Sequence, residues 1–203
     1  MKKFKLAISL LLILFVTSSC VETIIGASLG ATYLSSREKN VKNTAIDVKI
    51  SSQIAANFIV NGLKNPGNSV DVTVSEGRVL LTGIVRSTKK ARLAIDIAWK
   101  AKDVKEVIDE IQISRDPKIR FNDVTSSFID YSLTAKVEAK LLLTKDVLYR
   151  NYKITTIDKT IYLLGIAKNQ QEIQKVLQSI SMVMGVERVV NHVILKDDPR
   201  RRG

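Results

Sequence analysis

An internal repeat constrains the fold of this chain more than any other feature. Residues 70–83 (VDVTVSEGRVLLTG) align with residues 152–165 (YKITTIDKTIYLLG) at an offset of 82 residues. Two further pairs of segments align in the same way, residues 104–109 with 186–191 and, at an offset of 83, residues 46–47 with 129–130. Two copies of one unit indicate a tandem duplication, because a solenoid needs at least three repeats.

Both copies have the same order of predicted elements. In copy one, apolar residues stand at every fourth position over 46–58, which is typical of a helix buried along one face. Valine then alternates with polar residues over 70–74, and Glu76-Gly77 predicts a hairpin turn. Ser87 is a predicted N-cap for the second helix. Copy two repeats this order, but its turn, Asp158-Lys159, has no glycine.

The predicted fold class is therefore α+β, with two tandem α-β-β-α-β domains. In each domain, two helices cover one face of a three-stranded sheet. The predicted boundaries are 44–115 for domain 1, 116–125 for the linker, 126–197 for domain 2 and 198–203 for a basic tail. We expect the tail to be solvated and disordered.

The first nineteen residues indicate an export signal. Lys2, Lys3 and Lys5 precede an apolar run over 6–16, and small residues follow at 17–19. This order is that of a bacterial signal peptide, and the run is shorter than the roughly 20 apolar residues that a transmembrane helix needs. We therefore expect residues 1–19 to be removed on export and to form no part of the folded domains.

Cys20, the only cysteine in the chain, directly follows the small residues. This arrangement resembles the lipobox of bacterial lipoproteins, although Thr17 stands where the lipobox usually has leucine. The resemblance implies that Cys20 is acylated, with palmitate or a similar chain, and that 20–43 form a lipid anchor and tether. The alternative is an ordinary signal peptide followed by an unrelated thiol, which would have no disulfide partner within the chain.

The formal charge of +12 points to an anionic partner. Removal of residues 1–19 deletes three lysines and no acid and leaves +9. For an exported protein, anionic lipid head groups are the first partner to expect, and nucleic acid is not expected. The two predicted domains carry +3 each, so neither is a dense polycation.

The duplicated pattern resembles the BON domain. The resemblance rests on the valine-rich strand, the segment Gly-Arg-Val-Leu-Leu-Thr-Gly at 77–83, and the Val-x-x-Val before the last strand. Two copies behind a lipoprotein signal are similar to the dual BON-domain lipoproteins of the Gram-negative envelope, the DolP type. The resemblance implies a non-enzymatic lipoprotein, anchored on the periplasmic face of the outer membrane, that binds anionic phospholipid and supports envelope integrity.

A second function from a different class stays open. The chain is then an interaction scaffold that recruits an envelope protein partner and touches the membrane only through its acyl anchor. Binding of the unlipidated chain to anionic vesicles separates the two functions.

Copy two contains the candidate lipid site. Phe128 and Tyr131 lie at helical spacing away from the predicted core stripe, and Lys136 and Lys140 are close by. Aromatic rings beside basic residues suit an anionic bilayer interface. The alternative is that Phe128 belongs to the core and the lysines are only solvated.

Copy one contains a candidate contact surface. Leu93, Ile97 and Trp99 align with Lys175, Ser179 and Ser181 of copy two. An apolar surface that the other copy lacks predicts an interface, most simply with copy two itself. The alternative is a locally rotated helix that buries Trp99 in its own core.

The sequence contains no recognisable catalytic or metal-binding motif, so we predict no enzymatic activity, no cofactor and no metal site. His192, the single histidine, aligns with Glu110 in the last strand and is expected to be an ordinary strand residue. One histidine does not supply a typical zinc site.

Overall fold

The computed structural model describes the backbone of residues 30–115 and 124–201 and the side chains of residues 43–115 and 128–201. The predicted signal peptide, Cys20 and most of the predicted linker lie outside the described residues. The helices are α1 (Gly30–Val60), α2 (Thr88–Lys100), α3 (Val124–Leu142) and α4 (Gln170–Ser181). The strands are β1 (Lys64–Asn65), β2 (Asn68–Ser75), β3 (Arg78–Val85), β4 (Glu106–Ile113), β5 (Tyr152–Ile157), β6 (Thr160–Ala167) and β7 (Arg188–Leu195). Short 3-10 turns form at Tyr149–Asn151 and Pro199–Arg201.

The predicted α+β class with two tandem copies is confirmed. In each copy a hairpin, β2–β3 or β5–β6, is extended by a last strand parallel to its second strand, so the strand orders are β1-β2-β3-β4 and β5-β6-β7. Copy one has four strands instead of the predicted three, because Lys64–Asn65 folds back on the start of β2 where the sequence predicts only a turn. Helix α1 also begins at Gly30, within the segment predicted as a tether.

Each copy has its own core between its helices and its sheet. In copy one, Ile50, Ile54 and Phe58 of α1 and the alanines of α2 are buried against alternate residues of β2 and β3. In copy two, the equivalent residues of α3 are buried against the sheet in the same way, and they are Leu133, Val137 and Leu141. Sequence periodicity therefore located both helix–sheet cores.

The glycine that ends each aligned segment is needed because two backbones come close together there. A Cβ atom on Gly83 would lie 2.0 Å from the carbonyl oxygen of Ser69, and one on Gly165 would lie 2.3 Å from that of Asn151. Neither distance is possible for real atoms, so any side chain at these positions would separate the paired strands.

An aspartate on the first helix holds the hairpin turn in each copy. The carboxylate of Asp47 accepts hydrogen bonds from the backbone N–H groups of Glu76 and Gly77, at 2.8 and 2.9 Å. Asp130 does the same for Asp158 and Lys159, at 2.9 and 3.1 Å. Burial raises the pKa of the Asp47 carboxyl, and the two amides oppose that shift.

Both hairpins have the same turn geometry, although only one has glycine. Both central residues have positive φ, 52° and 79° in copy one and 47° and 57° in copy two. Two positive φ values are typical of the type I′ turn that fits the twist of a hairpin. Lys159 therefore has a backbone conformation that favours glycine.

The two copies pack through the faces of their sheets that point away from the helices. Leu80 of copy one and Tyr162 and Leu164 of copy two form a buried cluster there. Thr73 and Thr155, which are equivalent in the repeat, bond to each other through their hydroxyls at 2.9 Å. Because side chains alternate across a strand, this packing places the helices of the two copies on opposite outer faces.

Polar groups at the margin of this contact are also paired across the copies. The equivalent residues Glu110 and His192 are 2.9 Å apart from Oε1 to Nε2. Arg78 is buried, pairs with Glu106 and donates to the carbonyl oxygen of His192 at 2.9 Å. His192 is thus a strand residue, as predicted, and it also contributes to the contact between the copies.

The described part of the basic tail binds copy one, and the prediction of a solvated, disordered tail is wrong for this part. The guanidinium of Arg201 donates to both carboxylate oxygens of Glu76, at 2.7 and 2.9 Å. Lys105 donates to the carbonyl oxygen of Arg201 at 2.9 Å. The end of copy two is therefore attached to the hairpin turn of copy one.

The free edges of β4 and β7 are each blocked by a side chain of the same strand. Asp109 accepts a hydrogen bond from the backbone N–H of Ile111, and Asn191 accepts one from that of Val193, both at 3.0 Å. Each bond occupies an amide near the middle of an outer strand, which reduces the capacity of that edge to pair with another chain.

We expect Asp130→Ala to lower the free energy of unfolding by about 1–3 kcal/mol, since both turn amides lose a charged acceptor. Asp47→Ala should have a larger effect, because its hydrogen bonds are more buried. Asp130→Asn keeps one acceptor oxygen, so its free energy of unfolding should lie between those of the wild type and Asp130→Ala. Chemical denaturation followed by circular dichroism measures all three, and wild-type stability of both alanine variants would contradict this role.

Candidate membrane-binding surface

Helix α3 is attached to copy two along one face. Leu133, Val137 and Leu141 fill the core on this face. Thr134 donates to the carbonyl oxygen of Asp130 at 3.0 Å, so Thr156 must donate in the 2.6 Å bond between the two threonine hydroxyls. These contacts fix the rotation of the helix about its axis and therefore determine which residues point outward.

The opposite face of α3 is apolar and exposed. Alanines 135 and 139 lie within this face and are also exposed. Four large apolar or aromatic residues around them have exposed fractions of 70% for Phe128, 75% for Tyr131, 69% for Leu142 and 85% for Leu143. The alternative that Phe128 belongs to the core is therefore wrong. A contiguous apolar surface of this kind normally marks a contact site.

Lys136 and Lys140 are exposed beside this apolar face. Within the described part of the chain, no carboxylate is within ion-pair distance of either ammonium group. Glu138, the acid between them, lies near the hydroxyl of Tyr149, and burial together with this carboxylate raises the pKa of Tyr149. Both lysines are thus available to an outside anion.

A loop after α4, which lies next to the core-facing side of α3 and not its exposed face, carries two exposed methionines that the sequence analysis missed. Met182 and Met184 are exposed. A Cβ on the adjacent Gly185 would lie 3.6 Å from Leu133, which places this loop against α3. Comparison of the copies could have found them, because Lys100 and Lys102 stand at the equivalent positions in copy one.

The equivalent helix of copy one has a similar apolar face without the lysines. Val48, Ile59 and Val60 are exposed on α1. Gln53 and Asn57 stand where copy two has Lys136 and Lys140. The cations of α3 are therefore not required by the fold.

The structure places Leu93, Ile97 and Trp99 on α2, away from the contact between the copies. Leu93 and Ile97 pack against the core of copy one. Trp99 is 53% exposed, so it is not buried in its own core either. The copies meet through their sheets, so these three residues do not form the contact between the copies. That they form an interface with another molecule remains a prediction.

The buried acids of the described residues have structural partners. Glu172 accepts hydrogen bonds from the backbone N–H groups of Leu148 and Lys168, at 3.2 and 2.9 Å. No three His, Cys, Asp or Glu side chains of the described residues are grouped as metal ligands. Over the same residues, no helix has both the length and the apolar character to cross a membrane.

Residues 37–115 and 130–197 both match the family model of the BON domain. The chain belongs to the BON-domain family. It contains two copies of the domain, as the resemblance in the sequence implied. The BON domain is a non-catalytic family.

Two relatives match most of this BON-domain chain. An uncharacterized protein from the gshII 5' region of Anaplasma centrale is 35% identical over 162 residues, which are 80% of this chain and all of that protein. The outer membrane lipoprotein DolP of Haemophilus influenzae is 25% identical over 186 residues, 92% of this chain and 93% of that protein. The predicted similarity to dual BON-domain proteins of the DolP type is confirmed.

Among solved structures, the C-terminal domain of CdsD, a structural protein of the type III secretion system of Chlamydia trachomatis, also matches. It is 14% identical, covers 74% of this chain and 96% of its own, and has a TM-score of 0.29.

Trp99 is the only tryptophan, so its fluorescence reports on this one position. We expect emission typical of a hydrated indole and efficient quenching by acrylamide, because the ring is about half exposed. Leu93→Ser should destabilise copy one, because Leu93 packs on the core. A blue-shifted, unquenched spectrum in the monomeric chain would contradict this placement.

Proposed function

We propose that this chain is a lipoprotein of the outer membrane, anchored through Cys20 on the periplasmic face, that binds anionic phospholipid through α3 and supports envelope integrity. One observation carries the proposal. It is the exposed apolar face of α3, with Phe128 and Tyr131 on it. Beside it are Lys136 and Lys140, which have no ion-pair partner among the described residues.

The chemistry of this face matches an anionic bilayer interface. Aromatic rings prefer the level of the lipid head groups, and exposed leucines can enter the boundary of the acyl chains. Each lysine contributes about 1 kcal/mol near an anionic membrane surface. Glu138 lies near the hydroxyl of Tyr149 and forms no ion pair with either lysine.

The relatives support the same function at a coarser level. The protein of Haemophilus influenzae is named an outer membrane lipoprotein, and this chain has the same domain family in two copies. Localisation to the outer membrane and a role in the integrity of the envelope are proposals by analogy with that relative.

The lipid site is tested by exchange of residues between the copies. In an unacylated mature chain with Cys20→Ser, we expect Lys136→Gln with Lys140→Asn to weaken binding to vesicles of phosphatidylglycerol and phosphatidylethanolamine roughly 30-fold. These are the residues of copy one, so the fold should be unchanged. Vesicle sedimentation at low and high salt measures the effect, and the wild-type affinity should fall as salt screens the charges.

The reciprocal variant, Gln53→Lys with Asn57→Lys, is the matched gain-of-charge control. It raises the total charge without changing α3. It should increase binding only if the exposed face of α1 can also contact the vesicle. Equal binding by wild type and the Lys136→Gln, Lys140→Asn variant would rule out α3 as the site. Binding of no variant to anionic vesicles would favour the scaffold function instead.

The anchor is tested separately. We expect Cys20→Ala to leave an unprocessed or soluble protein in cell fractionation, since acylation needs the thiol. Mass spectrometry of the wild-type N-terminus should show a processed chain that begins with acylated Cys20. A soluble wild-type protein with an unmodified cysteine would contradict this part of the proposal.

A further inference from the structure

The outward face of α2 in copy one combines an exposed tryptophan with a group of cations. Trp99 is 53% exposed. Lys89, Arg92 and Lys100 are exposed on the same face of the helix, and exposed Lys102 follows its end. Within the described part of the chain, none of these four cations is within ion-pair distance of a carboxylate. We call Trp99 and these four residues the Trp99 face.

The five equivalent positions of copy two are uncharged. At the positions of the Trp99 face it has Gln171, Gln174, Ser181, Met182 and Met184. Copy two folds into the same domain with these residues, so the cations of copy one are not a requirement of the fold. Asp96 lies on the Trp99 face, one helical turn from Arg92 and from Lys100, and Asp103 is exposed just after the helix. Together these two acids neutralise half of the charge of the face.

The two charged faces point away from each other. The copies pack through the backs of their sheets, around Leu80 and Tyr162. Helix α2 covers the outer face of one sheet, and helix α3 covers the outer face of the other. A planar bilayer that contacts α3 therefore cannot contact α2 of the same molecule.

We infer that the Trp99 face is a second contact for an anionic lipid surface, directed away from α3, so that one molecule can join two anionic membranes. The inference rests on the proposed function of α3. Its chemistry is the same, an aromatic ring at the membrane interface beside unpaired cations. An indole prefers the level of the lipid head groups, where the neighbouring cations meet lipid phosphate, which favours lipid over an acidic protein segment.

The experiment mixes two populations of vesicles of phosphatidylglycerol and phosphatidylethanolamine, labelled with a donor and an acceptor dye. The unacylated mature chain with Cys20→Ser is added, and clustering is followed by light scattering and energy transfer. We expect the wild type to cluster these vesicles and to leave neutral phosphatidylcholine vesicles dispersed. Analytical ultracentrifugation of the free protein shows whether it is monomeric.

The decisive variant exchanges Lys89→Gln, Arg92→Gln and Trp99→Ser, the residues of copy two. We expect this variant to need at least a tenfold higher protein concentration than the wild type to cluster the vesicles. It should still sediment with single vesicles through α3. The control Lys168→Gln with Arg188→Gln removes two exposed charges outside both faces and should cluster nearly as wild type. Unchanged circular dichroism and thermal unfolding verify that each variant is folded.

Failure of this inference differs from failure of the proposed function. Persistent clustering by the Trp99-face variant, or vesicle sedimentation without clustering by the wild type, overturns the second contact and leaves α3 intact. The second result would also favour an acidic protein as the partner of the Trp99 face. The α3 lysines are therefore tested in the background of the Trp99-face variant, which has only one of the two contacts. If the addition of Lys136→Gln and Lys140→Asn to that variant leaves its vesicle sedimentation unchanged, α3 is overturned as the site instead.

Discussion

The bond from the first helix to the hairpin turn organises each domain. Asp47 and Asp130 each accept two turn amides with one carboxylate, which joins a helix to a strand connection about 30 residues later in the chain. This contact sets where the helix lies over the sheet. It also holds Lys159 in a backbone conformation that favours glycine. The rotation of α3, and hence the outward direction of its apolar face, depends on the same attachment.

Duplication has kept this framework and changed the surfaces. The turn bonds, the close-approach glycines and the blocked edges occur at equivalent positions in both copies. The cations beside the two candidate surfaces do not, because Lys136 and Lys140 are on the first helix of copy two, whereas those of the Trp99 face are on and just after the second helix of copy one. Exposed residues that differ between two folded copies are not required by the shared fold, which makes them the better guide to function.

Periodicity predicted the helices, the hairpins and both helix–sheet cores, because each depends on local spacing. It did not predict β1, since a two-residue bridge leaves no pattern. The packing of the copies was also missed, although β3 is buried at every position and a strand that is apolar on both faces is typical of burial on both sides. The sequence assigned Trp99 to that contact wrongly, because comparison of the copies shows which residues differ but not which side of the domain they face.

The blocked edges have a consequence for how densely such chains can be arranged. Attachment to a surface confines molecules to two dimensions, where neighbours collide in a few repeated orientations. An open outer strand under these conditions would template its neighbour and start a fibre. In this protein the amides of Ile111 and Val193 are already occupied by their own strands. Two of the amides that a neighbouring chain would need for such pairing are therefore unavailable, which works against edge-to-edge growth between copies held on one surface.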